Sequence, residues 1–339
     1  MFRSLSRLTG SLAHLRLRDD REAQREKAFG VLCGMFTLLK NMSSVYIQPG
    51  DFQSLPVSID MKVLPLNDVT IEETPCVTVQ TELNFFLPLS HESISSKYKM
   101  NLEAPEISER FSHVNQLTDG NCPVLMELGC WTKQEHLDYL AYRLMWEADV
   151  VPRMGTEGNS RPLRVVTGWK SPGFAFAARF EPYLHTYDSP YSEPANCWVK
   201  SGIPHTKIAV YNTSQGDPKL LLCSEILTII AAIATRLMDK WLEKHLIIPV
   251  GKSFPSNAIS LRLFVSSLLT FILFEVMLIS FMAPAHGRVI IAHYDSKGLR
   301  IKMSDLMLCS SKDRASWDFF ARYLGSDANP TADTSMFVD

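Results

Sequence analysis

The chain has 339 residues, 46% of them hydrophobic, with 34 Lys and Arg against 36 Asp and Glu and a formal net charge of −2. That length holds one large domain or two small ones, and the missing basic excess excludes a general nucleic-acid binder. The 7 cysteines (33, 76, 122, 130, 197, 223 and 309) include no C-x-x-C pair, which predicts free thiols in a reducing, intracellular and most simply cytoplasmic setting.

Residues 1–18 carry Arg3, Arg7, Arg16 and Arg18 and no acid. Phe2, Leu5, Leu8, Leu12 and Leu15 share one helical face. This composition fits a mitochondrial transit peptide or a basic tail. The charge run 19–27 reads as a solvated helical face, and Ala28–Leu39 as a helix docked on a core. Val57, Ile59, Met61 and Val63 alternate with polar neighbours, as do Val77, Val79, Leu83 and Phe85. They predict two half-buried strands, paired antiparallel. With the helix they make a small N-terminal region over 19–97. Residues 88–120 read as a linker or long loop ahead of a main domain at 118–325.

Val124–Leu128 reads as a strand. Thr132-x-x-Glu135 is a capping box opening a helix to about Glu147, with Leu137, Leu140, Ala141, Leu144 and Met145 as its buried stripe. The densest polar cluster follows: Glu147, Asp149, Arg153, Glu157 and Arg161, set among Pro152, Gly155 and Gly158. It has two readings, a solvated helix exit laced by i,i+4 ion pairs or an anion or substrate site built on Arg153 and Arg161. Leu163–Thr167 reads as a strand, 168–173 as a turn, Phe174–Tyr187 as extended chain and 189–205 as a Pro- and Ser-rich loop. Lys207–Tyr211 and Lys219–Leu222 read as a hairpin. His185 with Asp188, and His293 with Asp295, repeat a His-plus-carboxylate pattern suited to a metal if the two pairs meet.

Residues 222–304 form the organising unit. Ser224-Glu225 reads as the N-cap and first-turn acid of a helix, and Ile226–Ala234 is apolar on nearly every face, so that helix is enclosed. His245–Val250 reads as a strand. Arg288–Tyr294 and Leu299–Met303 read as a hairpin across Asp295-Ser-Lys-Gly298. Between them lies a hydrophobic segment. As one helix, Ala258–Ala283 would run about 39 Å, enough to span a bilayer, with Glu275 a costly acid within it. Alternatively Gly251–Glu275 is a translated intron, because Gly251-Lys-Ser253 can be encoded with a splice-donor consensus and Phe, Leu and Ser codons are pyrimidine-rich. Its excision would join 245–250 to 277–282 as one strand. A buried core helix is the third option. Gly251-Lys-Ser253 is not a phosphate loop, since position 246 is Leu where glycine is required. Asp313–Leu324 is an amphipathic helix with Trp317, Phe320, Ala321 and Leu324 inward and Gly325 at its end. Residues 326–339 read as disordered.

The expectation is therefore an α+β fold with a mixed or antiparallel sheet, packed helices and one hydrophobic segment that is a transmembrane helix or a translated intron. No nucleophile elbow, zinc-helix or dinucleotide signature occurs. Asp295-Ser-Lys297 has the Asp-x-Lys spacing of restriction-type nucleases, but no preceding strand supplies their first Asp.

Leu144-Met-Trp-Glu-Ala-Asp149, Pro152-Arg-Met-Gly-Thr-Glu-Gly158, Glu225-Ile-Leu-Thr228 and His286-Gly-Arg-Val289 resemble a family of filamentous-fungal proteins, over residues 118–325. The resemblance breaks at 251–275. It brings no activity, cofactor or catalytic residue. It implies a non-catalytic accessory or ligand-binding role, in fungal specialised (secondary) metabolism, with a small molecule or a protein as partner. The other two readings are a membrane-associated protein anchored through 258–283 and a divergent enzyme using the 147–161 cluster.

Overall fold

A computed structural model describes residues 22–55, 58–64, 86–100, 133–153, 161–172, 176–184, 193–201, 203–239, 242, 246–247, 271–272, 274–295, 298–309 and 314–328, with 109 and 112. The expectations on 1–18, 77–85, 124–128, Thr132, 251–270 and 329–339 lie outside these residues.

Seven strands form one sheet. They are β1 (Ile59–Val63), β2 (Glu193–Val199), β3 (Thr206–Gln215), β4 (Phe274–Ala283), β5 (His286–Asp295), β6 (Gly298–Met303) and β7 (Met307–Leu308). The spatial order is β1-β6-β5-β4-β3-β2, with β7 also paired to β5. Strands β3 and β4 run parallel, as do β6 and β1, while the other pairs are antiparallel. The four main helices are α1 (22–40), α2 (Lys133–Asp149), α3 (Cys223–Met238) and α4 (Arg314–Leu324). The fold is α+β with a mixed sheet.

Helices cover both faces, which is why the central strands are apolar without alternation. On one face Ile208, Val210, Val276, Leu278, Ile290 and Ile301 pack with Leu32, Met35 and Phe36 of α1 and Ile226, Ile229 and Ile233 of α3. On the other, Ala209, Met277, Ile279, Phe281 and Val289 pack with Leu140 and Leu144 of α2 and Trp317 and Phe320 of α4. Each large side chain so enclosed is worth about 1.5–3 kcal/mol. The expected docking of 28–39 and the enclosed character of 226–234 both follow from this layering. Strand β1, from the N-terminal region, belongs to the same sheet as the strands of the main domain.

Helix α3 is the crossover between the parallel strands β3 and β4. Its cap differs from expectation. Leu222 holds the N-cap position, and Glu225 reaches back to accept its backbone N–H at 2.9 Å. Ser224 lies inside the first turn and donates instead to Asn212 Oδ1 at 2.6 Å, and Asn212 Nδ2 in turn donates to Ser280 Oγ at 2.9 Å. Glu225 also pairs with Arg288 of β5, both side chains being fully buried. Arg288 donates further to the carbonyls of Asp217 (2.9 Å) and Leu220 (3.1 Å). The stretches Glu225–Thr228 and His286–Val289 thus meet in one buried ion pair.

The Asp295–Gly298 hairpin forms as read, with Tyr294 opposite Leu299 and Gly298 at φ 127°. The hydrophobic segment does not form one helix over 258–283. Residues 274–283 are β4, hydrogen-bonded between β3 and β5. An apolar run of this length has no periodicity to separate buried strand from buried helix, and pairing on both sides decides it. Among the described residues no helix is long and apolar enough to cross a membrane. The expected insert boundary at Glu275 also falls inside β4. Of the expected 245–250 strand, Leu246–Ile247 is described, paired antiparallel with Phe271–Ile272.

Other local readings change for local reasons. Leu163–Val166 is one helical turn rather than a strand, bounded by Pro162 and by Gly168 at φ 78°, the residue types that start and stop helices. Within 174–187, Glu181–Leu184 is a helical turn. The loop assigned to 189–205 contains β2, whose Pro194 is tolerated at the sheet's end. Leu221–Leu222 pairs with Tyr46–Ile47 and not with β3. β1 takes β6 as its neighbour in parallel. Residues 86–100, within or beside the expected linker, dock on the fold: Leu89 N–H donates to Arg322 O, and Ile94 packs beside Leu163 and Ala321. Ser326 is buried and Asp327–Ala328 pairs with Phe86–Leu87, so the chain is ordered past Leu324.

Candidate ligand-binding site

The 147–161 cluster is turned inward where it is described. Glu147 and Arg153 are both buried. Arg143 Nε and Glu147 Oε1 form an i,i+4 pair at 3.4 Å, while Arg153 donates to Glu147 O at 2.8 Å and Tyr98 O at 3.3 Å. Asp149 accepts from Arg164 Nε at 2.7 Å, Trp198 Nε1 at 3.3 Å and Asn196 Nδ2 at 3.1 Å. Arg161 is exposed and lies opposite Arg153 in a short antiparallel pairing. Glu157 lies outside the described residues. These bonds tie α2 to the chain around it, so the expected ion pairing is present while Glu147 and Arg153 are enclosed and not solvated.

Of the His-carboxylate pattern, His293 and Asp295 are the described half. His185 and Asp188 lie outside the described residues. Among those described, no three His, Cys, Asp or Glu groups gather as metal ligands. Asp295 sits 3.7 Å from Arg300 Nε.

The sheet register assembles a different group. Glu275 of β4 pairs with His293 of β5, His293 with Arg300 of β6, and Arg300 with Asp60 of β1. His205, just before β3, completes the row, its Nδ1 accepting the Glu275 backbone N–H at 3.3 Å. Alternation along strands puts the paired side chains on the face of Met277 and Ile291. Five ionisable residues therefore run side by side, four on β4, β5, β6 and β1 and His205 just before β3, at the end of a face that also carries Met277 and Ile291. Lys302 and Lys62, themselves in register, lie one step inward on that face. The ring of Phe86 meets His205 edge-on at 5.8 Å.

Electrostatics differ along the row. Glu275 is 2% exposed, Arg300 bonds Asp60, and Asp60 lies at the open end. Burial pushes the His293 imidazole down to about 4; Asp295 opposes this, and Lys302 and Arg300 add to it. At neutral pH His293 is thus an uncharged ring with one donor and one acceptor. Burial also lowers the Lys302 ammonium, with Glu275 working against it. Together these groups place two cations, two carboxylates and a neutral imidazole along one end of the sheet face.

Sequence reasoning singled out His293, Asp295 and the oddly placed Glu275, but not the row. Its members come from segments up to 240 positions apart, and only the strand order unites them. No family model, no curated protein and no solved structure matches this chain.

Proposed function

We propose that this is a non-catalytic ligand-binding or accessory protein, and that its ligand is a small organic acid seated against the Glu275–His293–Arg300 row with Lys302 beside it. The carrying observation is the row itself. Burying ionisable groups costs energy that a purely packing face avoids, and a concentration of such groups with a shifted imidazole is a pointer to a functional site. Lys302 and Arg300 suit the acid group, and neutral His293 suits a hydroxyl or carbonyl. The setting in fungal specialised metabolism rests on the resemblance across 118–325 alone. Glu147 and Arg153 already bond within the fold, which is why the ligand is placed at the row and not at the 147–161 cluster.

The test is a thermal-shift and calorimetric screen of hydroxy acids and keto acids against wild type, Lys302→Ala and His293→Ala. A binder is expected to raise the wild-type Tm and to lose about tenfold or more in affinity in each variant. Binding that survives both substitutions overturns this location, and no binder across the panel overturns the ligand class.

A further inference from the structure

Strand β1 ends the described sheet, with β6 on one side. The Leu299 N–H donates to Ser58 O, and the Leu64 N–H to Met303 O. Because backbone groups alternate along a strand, residues 58, 60, 62 and 64 direct their N–H and C=O toward β6. Those of Ile59, Met61 and Val63 point outward. Such an edge is a template for another strand. β1 contains no proline or bulge, its edge charges are the alternating Asp60 and Lys62, and its Val63 side chain is 74% exposed.

We propose that two copies of the chain pair antiparallel through the outer edges of β1, about a two-fold axis at Met61. The sequence Ile59-Asp-Met-Lys-Val63 is self-complementary in that register. Met61 meets Met61 of the second copy, and Ile59 meets Val63. These are the positions whose backbone groups point outward, giving about six intermolecular hydrogen bonds. Asp60 meets Lys62 and Lys62 meets Asp60, at the non-hydrogen-bonded positions where side chains approach most closely. Asp60, 41% exposed while bonded to Arg300, would then lie between that guanidinium and the second copy's ammonium. On the opposite face, exposed Val63 gains apolar cover from Ile59. A one-residue slip in either direction sets Asp60 or Lys62 among the apolar pairs, so the charge pattern specifies the register. The interface is isologous and small, which makes it a concentration-dependent equilibrium. It does not depend on the ligand reading.

Sedimentation of the full chain over a range of concentrations tests this, with melts to verify each variant's fold. Wild type is expected to move from monomer to dimer as concentration rises. Lys62→Asp leaves two acids opposite two acids, and Asp60→Lys two bases opposite two bases. Each alone is expected to raise the dimer Kd by about tenfold or more. Mixing the two variants restores complementarity and is expected to recover a heterodimer. Val63→Lys, at an exposed site that the fold tolerates, is expected to weaken the dimer as well. A wild type that stays monomeric at every concentration overturns the proposal, and would assign the edge to another segment of the same chain, such as the alternating stretch 77–85. A dimer unaffected by Val63→Lys and by either charge reversal overturns it equally.

Discussion

His293 is held as a neutral imidazole by its place on the sheet, and that makes the fold sensitive to acid. Its folded pKa is about 4, against 6.5 unperturbed, with burial the leading cause. Between those values the unfolded chain binds a proton that the folded chain does not, so stability rises with pH across that window. The contribution is complete above about pH 6.5 and is lost as pH falls toward 4, amounting to at most about 3 kcal/mol. Replacing His293 by Gln is expected to flatten the fall in Tm between pH 6.5 and 4, measured by thermal melts in matched buffers. An unchanged slope would place the acid sensitivity elsewhere. The buried thiols behave in the opposite sense. Burial pushes Cys197 and Cys223 up to about 11, so both stay protonated and unreactive at neutral pH.

Between elements, the firmest polar tie joins β3 to the end of α4. Lys207 is fully buried, and its ammonium donates to Leu324 O and Ser326 O at 2.6 Å each and to Tyr323 O at 3.3 Å. Its Nζ also lies 4.0 Å from the Trp169 ring centroid, while the Trp169 indole donates to the same Ser326 O at 3.0 Å. A cation here satisfies the orphan carbonyls of a helix C-terminus and meets its negative dipole end. Lys207→Met keeps the length of the side chain and removes every donor. It is expected to cost about 2–3 kcal/mol, read from denaturant melts, and to loosen 322–328 in hydrogen exchange. A neutral result would mean that water replaces the ammonium.

Such ties mark what the sequence hides. The helices were legible because their stripes are local: Leu140, Ala141 and Leu144 in α2, Trp317, Phe320 and Ala321 in α4. So was the Asp295–Gly298 hairpin, whose turn chemistry lies within its own four residues. Strand partners were not, because β1 finds β6 across most of the chain and alternation says nothing about which neighbour a strand takes. The ion pairing after α2 was legible in the i,i+4 spacing of Arg143 and Glu147, but the burial of Arg153 was not, because it depends on that chain folding back onto the end of α2. Glu225 and Arg288 lie 63 positions apart, and only the crossover helix beside β5 joins them.

For the whole molecule, the decisive segment is the one leading into β4, the strand in the middle of the sheet. Excising 251–275 would carry Val250 into the register of Glu275 and Pro249 into that of Phe274. The Glu275 N–H points toward β3, as its bond to His205 Nδ1 requires, so by alternation the backbone groups of Phe274 face Tyr294 of β5. Proline there removes a ladder donor in a central strand, where it is poorly tolerated. The same excision deletes the Phe271–Ile272 pairing with Leu246–Ile247 and replaces Glu275 of the row with an apolar residue. Excising 251–270 spares all of these. The shorter deletion is therefore expected to fold with a Tm near that of the full chain, and the longer one to lie about 1–3 kcal/mol lower in stability. Parallel expression and thermal melts of the three forms compare them directly. A longer deletion that equals or exceeds the full chain would show that 245–250 completes β4 by itself, and that residues 251–275 are an insertion the sheet does not need.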